Sequence, residues 1–156
     1  MISFNNIGNL GRLANQMFQY ASLKGIARNR GYEFTIPPED VFGQNDPLVK
    51  TSPLNIYNVF ENISNNKIEI VRNPMLQERM HEFDEELFRS CPDNVDLFGY
   101  FQSPKYFQHI EDEIKNDSPE LAEHSDAAVV NVTLPFVIFV LFGARRVPSP
   151  AVASFV

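Results

Sequence analysis

The sequence predicts an α/β protein built on an open sheet, and its first 37 residues carry most of that signal. The opening segment "MISFNNIG" fits a short strand that ends at Gly8 or Gly11. The segment "ANQMFQYASLKGIARNRG" then has near-helical apolar spacing, and Gly31 is a suitable helix terminator. "YEFTIP" alternates and stops at two prolines, as a second strand does. The order strand, glycine turn, helix, strand is how an open α/β sheet begins.

Later segments continue this pattern after an irregular stretch. Residues 38–66 are rich in Pro, Asn and Asp and predict irregular structure, whereas "KIEIV" is a short alternating strand. A further strand is predicted within residues 95–101. Residues 103–117 predict a helix with Ser103 as N-cap and Pro104 in the first turn. The apolar face of that helix comprises Tyr106, Phe107, Ile110 and Ile114.

Composition narrows the classes of function. The 156-residue chain suffices for one compact domain, and its net charge of −7 argues against a nucleic-acid binder, which needs a basic face. The single cysteine, Cys91, excludes an intramolecular disulfide and is typical of a reducing cytoplasm. The N-terminus has no basic segment followed by a long apolar one, so we expect no signal peptide and a cytoplasmic location.

The chain divides into two unlike parts. Residues 1–125 contain 19 of the 20 acidic residues and 11 of the 13 basic residues, whereas residues 126–156 are largely apolar. We therefore predict a domain at 1–125 and a divergent apolar tail at 126–156. Three interpretations of the tail stay open: a frameshift or truncation product, a membrane anchor through the 18 uncharged residues 127–144, or strands that complete the sheet.

The entrance of the first helix is the candidate ligand site. Gly11 lets the backbone approach a ligand closely, and a helix start favours anions and polar oxygens. Arg12 adds a planar fork of donors suited to phosphate or carboxylate. Asn15, Gln16 and Gln19 share a helix face with Arg12 and supply donors and acceptors suited to sugar hydroxyls. An ordinary surface helix shows the same polar stripe, so the pattern alone leaves both interpretations open.

Other polar and aromatic residues fit structural roles better. Three histidines are scattered along the chain, at His81, His109 and His124. They are too dispersed for a metal site, so we expect no bound metal. Glu85 and Glu86 are expected on a solvated helix face, and the aromatic side chains of residues 100–107 are expected in the core.

The segment "GRLANQMFQYA", residues 11–21, closely resembles the G-R-L-G-N-Q-M-F-Q-Y-A signature of the family 11 glycosyltransferases, the galactoside α-1,2-fucosyltransferases. Three more segments resemble that family in the same order: "HEFDEELF" (81–88), "LFGYFQSPKYF" (97–107) and "IEDEIKND" (110–117). The resemblance therefore covers about residues 1–125. Ala14 departs from the family's glycine, which weakens the site if the position needs a positive φ and is harmless if it is helical.

The resemblance implies an inverting transfer of L-fucose from GDP-fucose to the 2-hydroxyl of a galactoside-containing glycan, with no metal or cofactor. It implies a GT-B-type enzyme with two Rossmann-like halves, of which residues 1–125 are the N-terminal half. The substrate-binding residues would then line the cleft between the halves: Gly11, Arg12, Asn15, Gln16 and Gln19. The resemblance assigns no catalytic residue.

The family's donor-binding motif, H-x-R-R-x-D, does not occur in this sequence. The only Arg-Arg pair, Arg145-Arg146, lacks the flanking His and Asp. We therefore expect this chain to be truncated and inactive alone, although it resembles a transferase that uses GDP-fucose. The alternative is a non-catalytic carbohydrate-binding or interaction fragment, with or without membrane attachment through residues 127–144.

Overall fold

The computed structural model describes residues 1–44 and 55–118, and these residues form an α/β fold with one parallel sheet. Its strands are β1 (Ile2–Ser3), β2 (Phe34–Ile36), β3 (Lys67–Ile68), β4 (Met75–Gln77) and β5 (Asp96–Phe98), in the order β3-β2-β1-β5-β4. The α-helices are α1 (Leu13–Arg30), α2 (Glu85–Ser90) and α3 (Glu111–Asp117). The parallel β1–α1–β2 unit confirms the predicted α/β class and is compatible with a Rossmann-like fold.

Several predictions fall outside the described residues. They are the boundary at residue 125, the tail 126–156, the anchor candidate 127–144, the Arg145-Arg146 pair and His124.

The first strand is shorter than the sequence predicts because the backbone turns directly after β1. The N–H of Ile7 donates to the carbonyl of Phe4 at 3.1 Å. The N–H of Asn5 donates to the carboxylate of Asp96 at 2.8 Å instead of to a strand partner. The loop that follows β1 therefore begins at the carboxyl edge of the sheet.

The edge strand β4 is absent from the sequence prediction. Its first residue, Met75, is 63% exposed, so β4 lacks the buried alternation that marks a strand. Residues 69–74 cross from β3 at one edge of the sheet to β4 at the other. The side-chain amide of Asn5 holds this crossing segment by donating to the carbonyl of Val71 at 2.8 Å.

Helix α1 is the most enclosed element of the described structure. Every residue from Gln16 to Ala27 is buried, so the helix has no solvent face over three turns. Gly31 ends it with φ +70°, and its N–H points to the carbonyls of Ala27 and Arg28. The predicted helix boundaries are thus confirmed. The helix does not, however, have a solvent-exposed polar face opposite a buried apolar face, because both predicted faces are buried between Gln16 and Ala27.

The segment 103–117 is only partly the helix that the sequence predicts. Short 3-10 turns at Pro104–Tyr106 and Gln108–Ile110 precede α3, because Phe107 has φ −135° and ψ 0°, outside the helical range. Ser103 makes no side-chain cap. The four residues of the predicted apolar face are nevertheless all buried: Tyr106, Phe107, Ile110 and Ile114.

This break in the helix brings backbone against backbone at Gly25 of α1. A Cβ built on Gly25 would lie 2.0 Å from the carbonyl oxygen of Tyr106. Gly25 is therefore required for close approach and not for an unusual backbone conformation, since it lies within the regular helix.

A buried ion pair joins α1 to the end of α3. The ammonium of Lys24 lies 2.7 Å from a carboxylate oxygen of Asp117, and Lys24 is only 5% exposed. The hydroxyl of Tyr20 donates to the same oxygen at 2.6 Å and accepts from the amide of Asn66 at 3.0 Å. The ion pair and its hydrogen bonds thus tie three separate parts of the chain together.

We expect Gly25→Ala to lower the free energy of unfolding by about 1–3 kcal/mol, because the added methyl overpacks against a backbone carbonyl. This outcome opposes helix propensity, by which alanine is favoured over glycine. Urea denaturation of the chain measures the change. Gly31→Ala is the matched control, since a Cβ there meets nothing within 4 Å and only the positive φ is strained. A Gly25→Ala protein as stable as the unmodified one would contradict this packing.

We expect Asp117→Asn to lower the free energy of unfolding by about 3–5 kcal/mol, because it removes the nearer counter-charge of the buried Lys24 ammonium and leaves only the carboxylate of Glu113, at 4.0 Å. The exposed Asp112→Asn is the charge-matched control on the same helix. The double variant Lys24→Met, Asp117→Leu should recover most of the loss. Additive losses in the double variant would show that the pair is not coupled.

Candidate functional site

The loops after β1 and β5 meet at the carboxyl edge of the sheet, where parallel α/β sheets bind their ligands. Residues 4–12 lead from β1 into α1, and residues 99–102 follow β5. We call these two loops, the first turn of α1 and Glu78 at the end of β4 the edge site. All five sequence-predicted site residues lie in it or directly below it.

Gly11 makes the turn into α1 with φ +85°, a conformation that favours glycine. A Cβ on Gly11 would lie 2.2 Å from Nδ2 of Asn15, so the Asn15 side chain folds back over the glycine. Ala14 lies inside α1 and has no positive φ, so alanine suits that position. The departure from the family signature at Ala14 therefore does not disturb the turn.

Gln19 is fully buried and joins the two loops from below. Its Nε2 donates to the carbonyls of Leu10 and Gly99, both at 3.0 Å. Its Oε1 has no hydrogen-bond partner among the described residues. The Gln19 amide thus holds the loop after β1 against the loop after β5.

Gln16 is also fully buried and has a similar internal role. Its Nε2 donates to the carbonyl of Gly11 at 3.4 Å, and its Oε1 accepts from the N–H of Ile56 at 3.3 Å. Gln16 therefore supports the glycine turn and anchors the 3-10 turn Ile56–Asn58. Any contact that Gln16 or Gln19 makes with a ligand stays a prediction.

Arg12 and Asn15 are the accessible members of the predicted set. Arg12 is the N-cap residue of α1, is exposed, and makes no side-chain cap. Asn15 is half-buried, and its Oδ1 accepts from Nε2 of the exposed Gln102 at 2.5 Å. This second amide bridge joins the first turn of α1 to the loop after β5.

Sequence reasoning missed three residues of the edge site: Glu78, Gly99 and Gln102. Gly99 and Gln102 lie in the segment 97–107, which resembles the family, but nothing in their spacing pointed to the loop after β1. Glu78 follows an edge strand that was itself not predicted, so no sequence signal marked it.

Glu78 holds the loop after β5 from the opposite side to Gln19. Its Oε2 accepts from the N–H groups of Tyr100 and Phe101 at 3.0 and 2.9 Å. Gly99, with φ +150°, allows this approach, because a Cβ there would lie 2.6 Å from Cβ of Glu78. Oε1 of Glu78 is buried and has no partner among the described residues.

Burial is the main reason why the pKa of the Glu78 carboxyl is raised above its ordinary value. The negative charge of Asp84 adds to this effect. The N–H groups of Phe101 and Tyr100 and the charge of His81 oppose it by favouring the carboxylate. A partly desolvated carboxyl group at the carboxyl edge of the sheet is a chemically distinctive feature of the edge site.

Other predicted features agree with structural roles. Glu85 and Glu86 are exposed on α2, as expected for a solvated helix face. Burial raises the pKa of the Cys91 thiol to about 11, which disfavours the reactive thiolate. In residues 1–44 and 55–118, no group of three or more His, Cys, Asp or Glu side chains is placed to hold a metal ion. No helix in that part of the chain has the length and apolar character that crossing a membrane requires.

Comparison with known proteins identifies no relative of this chain. No family model, no curated protein and no solved structure matches the chain.

We expect Glu78→Gln to change how stability depends on pH. Because the pKa of Glu78 is raised, the folded state favours the protonated carboxyl more than the unfolded state does. Protonation of Glu78 therefore stabilises the fold below the ordinary pKa of a glutamate, and this contribution is lost as the pH rises through the folded-state pKa. The unmodified protein should therefore lose stability relative to Glu78→Gln as the pH rises from 4 to 7, as measured by urea denaturation at each pH. The same change at exposed Glu82 controls for the loss of one negative charge. A constant difference between the two proteins would contradict the assignment.

Proposed function

We propose that this chain belongs to the galactoside α-1,2-fucosyltransferases and that its edge site binds a galactoside acceptor. The reaction of that family transfers L-fucose from GDP-fucose to the galactoside 2-hydroxyl. The oxygen of that hydroxyl forms a bond to C1 of fucose, the bond from C1 to the diphosphate breaks, and GDP leaves with the electron pair. The proton of the hydroxyl passes to a base.

One observation carries this proposal: the four segments that resemble the family contact one another through side-chain hydrogen bonds. Gln19 in segment 11–21 donates to the carbonyl of Gly99 in segment 97–107. The N–H of Asp84 in segment 81–88 donates to the Tyr106 hydroxyl of segment 97–107 at 2.9 Å. Tyr20 donates to Asp117 of segment 110–117. Segments that are distant in sequence but bonded in space act as one unit, as a shared family core requires.

The chemistry of the accessible groups supports a sugar ligand. Arg12 supplies several N–H donors, whereas Asn15 and Gln102 supply both donors and acceptors. Sugar hydroxyls both donate and accept, so they match a mixed set better than a phosphate, which only accepts. The buried amides of Gln16 and Gln19 hold these accessible groups in a defined geometry.

A second candidate is a carbohydrate-binding protein without transferase activity. The absence of H-x-R-R-x-D from the sequence favours it, because two adjacent arginines would stabilise the charge that develops on the leaving diphosphate. The two candidates share the galactoside and differ in whether GDP-fucose binds and reacts.

We expect lactose to bind the chain and expect Arg12→Ala with Asn15→Ala to weaken binding by about 10-fold or more, since both changes remove ligand hydrogen bonds. Isothermal titration and saturation-transfer NMR measure the affinity. Arg89→Ala, an exposed arginine on α2, is the control and should bind as the unmodified protein does.

A transfer assay with labelled GDP-fucose and lactose then separates the candidates. Fucosylated lactose establishes the transferase, whereas lactose binding with neither GDP-fucose binding nor transfer establishes the carbohydrate-binding protein. A chain that neither binds lactose nor transfers fucose would refute both.

A further inference from the structure

Asn15 and Gln102 form an amide pair whose geometry is fixed by the glycine turn. They are 87 residues apart in sequence, and Nε2 of Gln102 donates to Oδ1 of Asn15 at 2.5 Å. The Asn15 side chain rests against Gly11, where a Cβ would lie 2.2 Å from Nδ2. Below them, Gln19 joins the loop after β1 to the loop after β5 through the carbonyls of Leu10 and Gly99. The pair is therefore held from beneath while it faces solvent.

The bond within the pair leaves one amide nitrogen and one amide oxygen without a hydrogen bond. Nδ2 of Asn15 and Oε1 of Gln102 have no hydrogen-bond partner in residues 1–44 and 55–118. Gln102 is exposed and Asn15 is half-buried, so a ligand can reach both side chains. A donor and an acceptor side by side match a ligand that both donates and accepts hydrogen bonds. They match an anion less well, because it only accepts, and a metal cation less well, because it binds only the oxygen.

We propose that the Asn15–Gln102 amide pair binds a vicinal diol of a sugar. One hydroxyl donates to Oε1 of Gln102, and the neighbouring hydroxyl accepts from Nδ2 of Asn15. This assignment rests on the proposed function in one respect, because the galactoside supplies the diol. Since the 2-hydroxyl must stay free to attack fucose, the pair holds the cis diol formed by the 3- and 4-hydroxyls.

The test compares methyl β-galactoside with its 3-deoxy and 4-deoxy analogues, titrated into the unmodified chain and into Gln102→Leu. In the unmodified chain, loss of either hydroxyl should weaken binding by about 3–10-fold, the effect of one hydrogen bond. In Gln102→Leu, the parent sugar should bind as weakly as the deoxy analogues bind to the unmodified chain, and removing one of the two hydroxyls should cost no further affinity. Gln108→Leu, at an exposed glutamine in a 3-10 turn, is the matched control.

Each outcome bears on a different part of the assignment. If the galactoside binds and the deoxy analogues lose affinity equally in Gln102→Leu and the unmodified chain, the diol assignment is wrong while the proposed function survives. If galactosides do not bind but methyl α-mannoside binds in a Gln102-dependent way, the pair binds diols and the galactoside acceptor is wrong. If no sugar binds, both are wrong. Gln102→Met, with the same expected result, guards against misfolding of the leucine variant.

Discussion

The enclosure of α1 is the constraint on which the rest of the described structure depends. A helix with no solvent face must satisfy its polar side chains inside the protein, because an unbonded buried polar group is costly. Four polar residues of α1 therefore bond to other segments of the chain: Gln16, Gln19, Ser22 and Lys24. Their partners are the turn at Ile56, the loops at Leu10 and Gly99, the carbonyl of Phe101, and Asp117. The polar residues of one helix thus set the positions of most of the surrounding segments.

This constraint explains why three amide side chains lie at the entrance of the helix. The buried amides of Gln16 and Gln19 have an architectural role, since they connect the glycine turn to neighbouring backbone. Arg12 and Asn15 are left at the surface. A binding site gains precision when its accessible groups rest on a rigid layer, and the two buried amides form such a layer.

The Gly99–Tyr100 peptide group shows how tightly the edge site is held. Gln19 donates to its carbonyl, and Glu78 accepts from its N–H, so one side of the peptide is bonded to a buried side chain and the other side to a half-buried one. The next residue, Phe101, has φ +51°, which is unfavourable for a bulky side chain. Its ring is fully buried against Phe4 and Tyr106, and this packing offsets the backbone strain. The loop after β5 is therefore shaped by contacts and not by its own sequence preferences.

Local signals in the sequence determined α1 and most of the sheet. The periodicity of α1 and the terminator Gly31 are properties of neighbouring residues, and so are the short alternating runs of β2 and β3. The α/β class followed from their order. The resemblance to a glycosyltransferase family also came from sequence, and it stays a prediction.

Only the tertiary structure decided which polar residues are buried and which are accessible to solvent. Periodicity placed Arg12, Asn15, Gln16 and Gln19 on one face, but it does not reveal that other segments cover part of that face. The break at Phe107 is equally invisible, because it depends on contact between the Tyr106 carbonyl and Gly25, about 80 residues apart. Glu78 and Gln102 joined the edge site through bonds to residues distant in sequence. Local patterns specify elements, and only long-range packing specifies their neighbours.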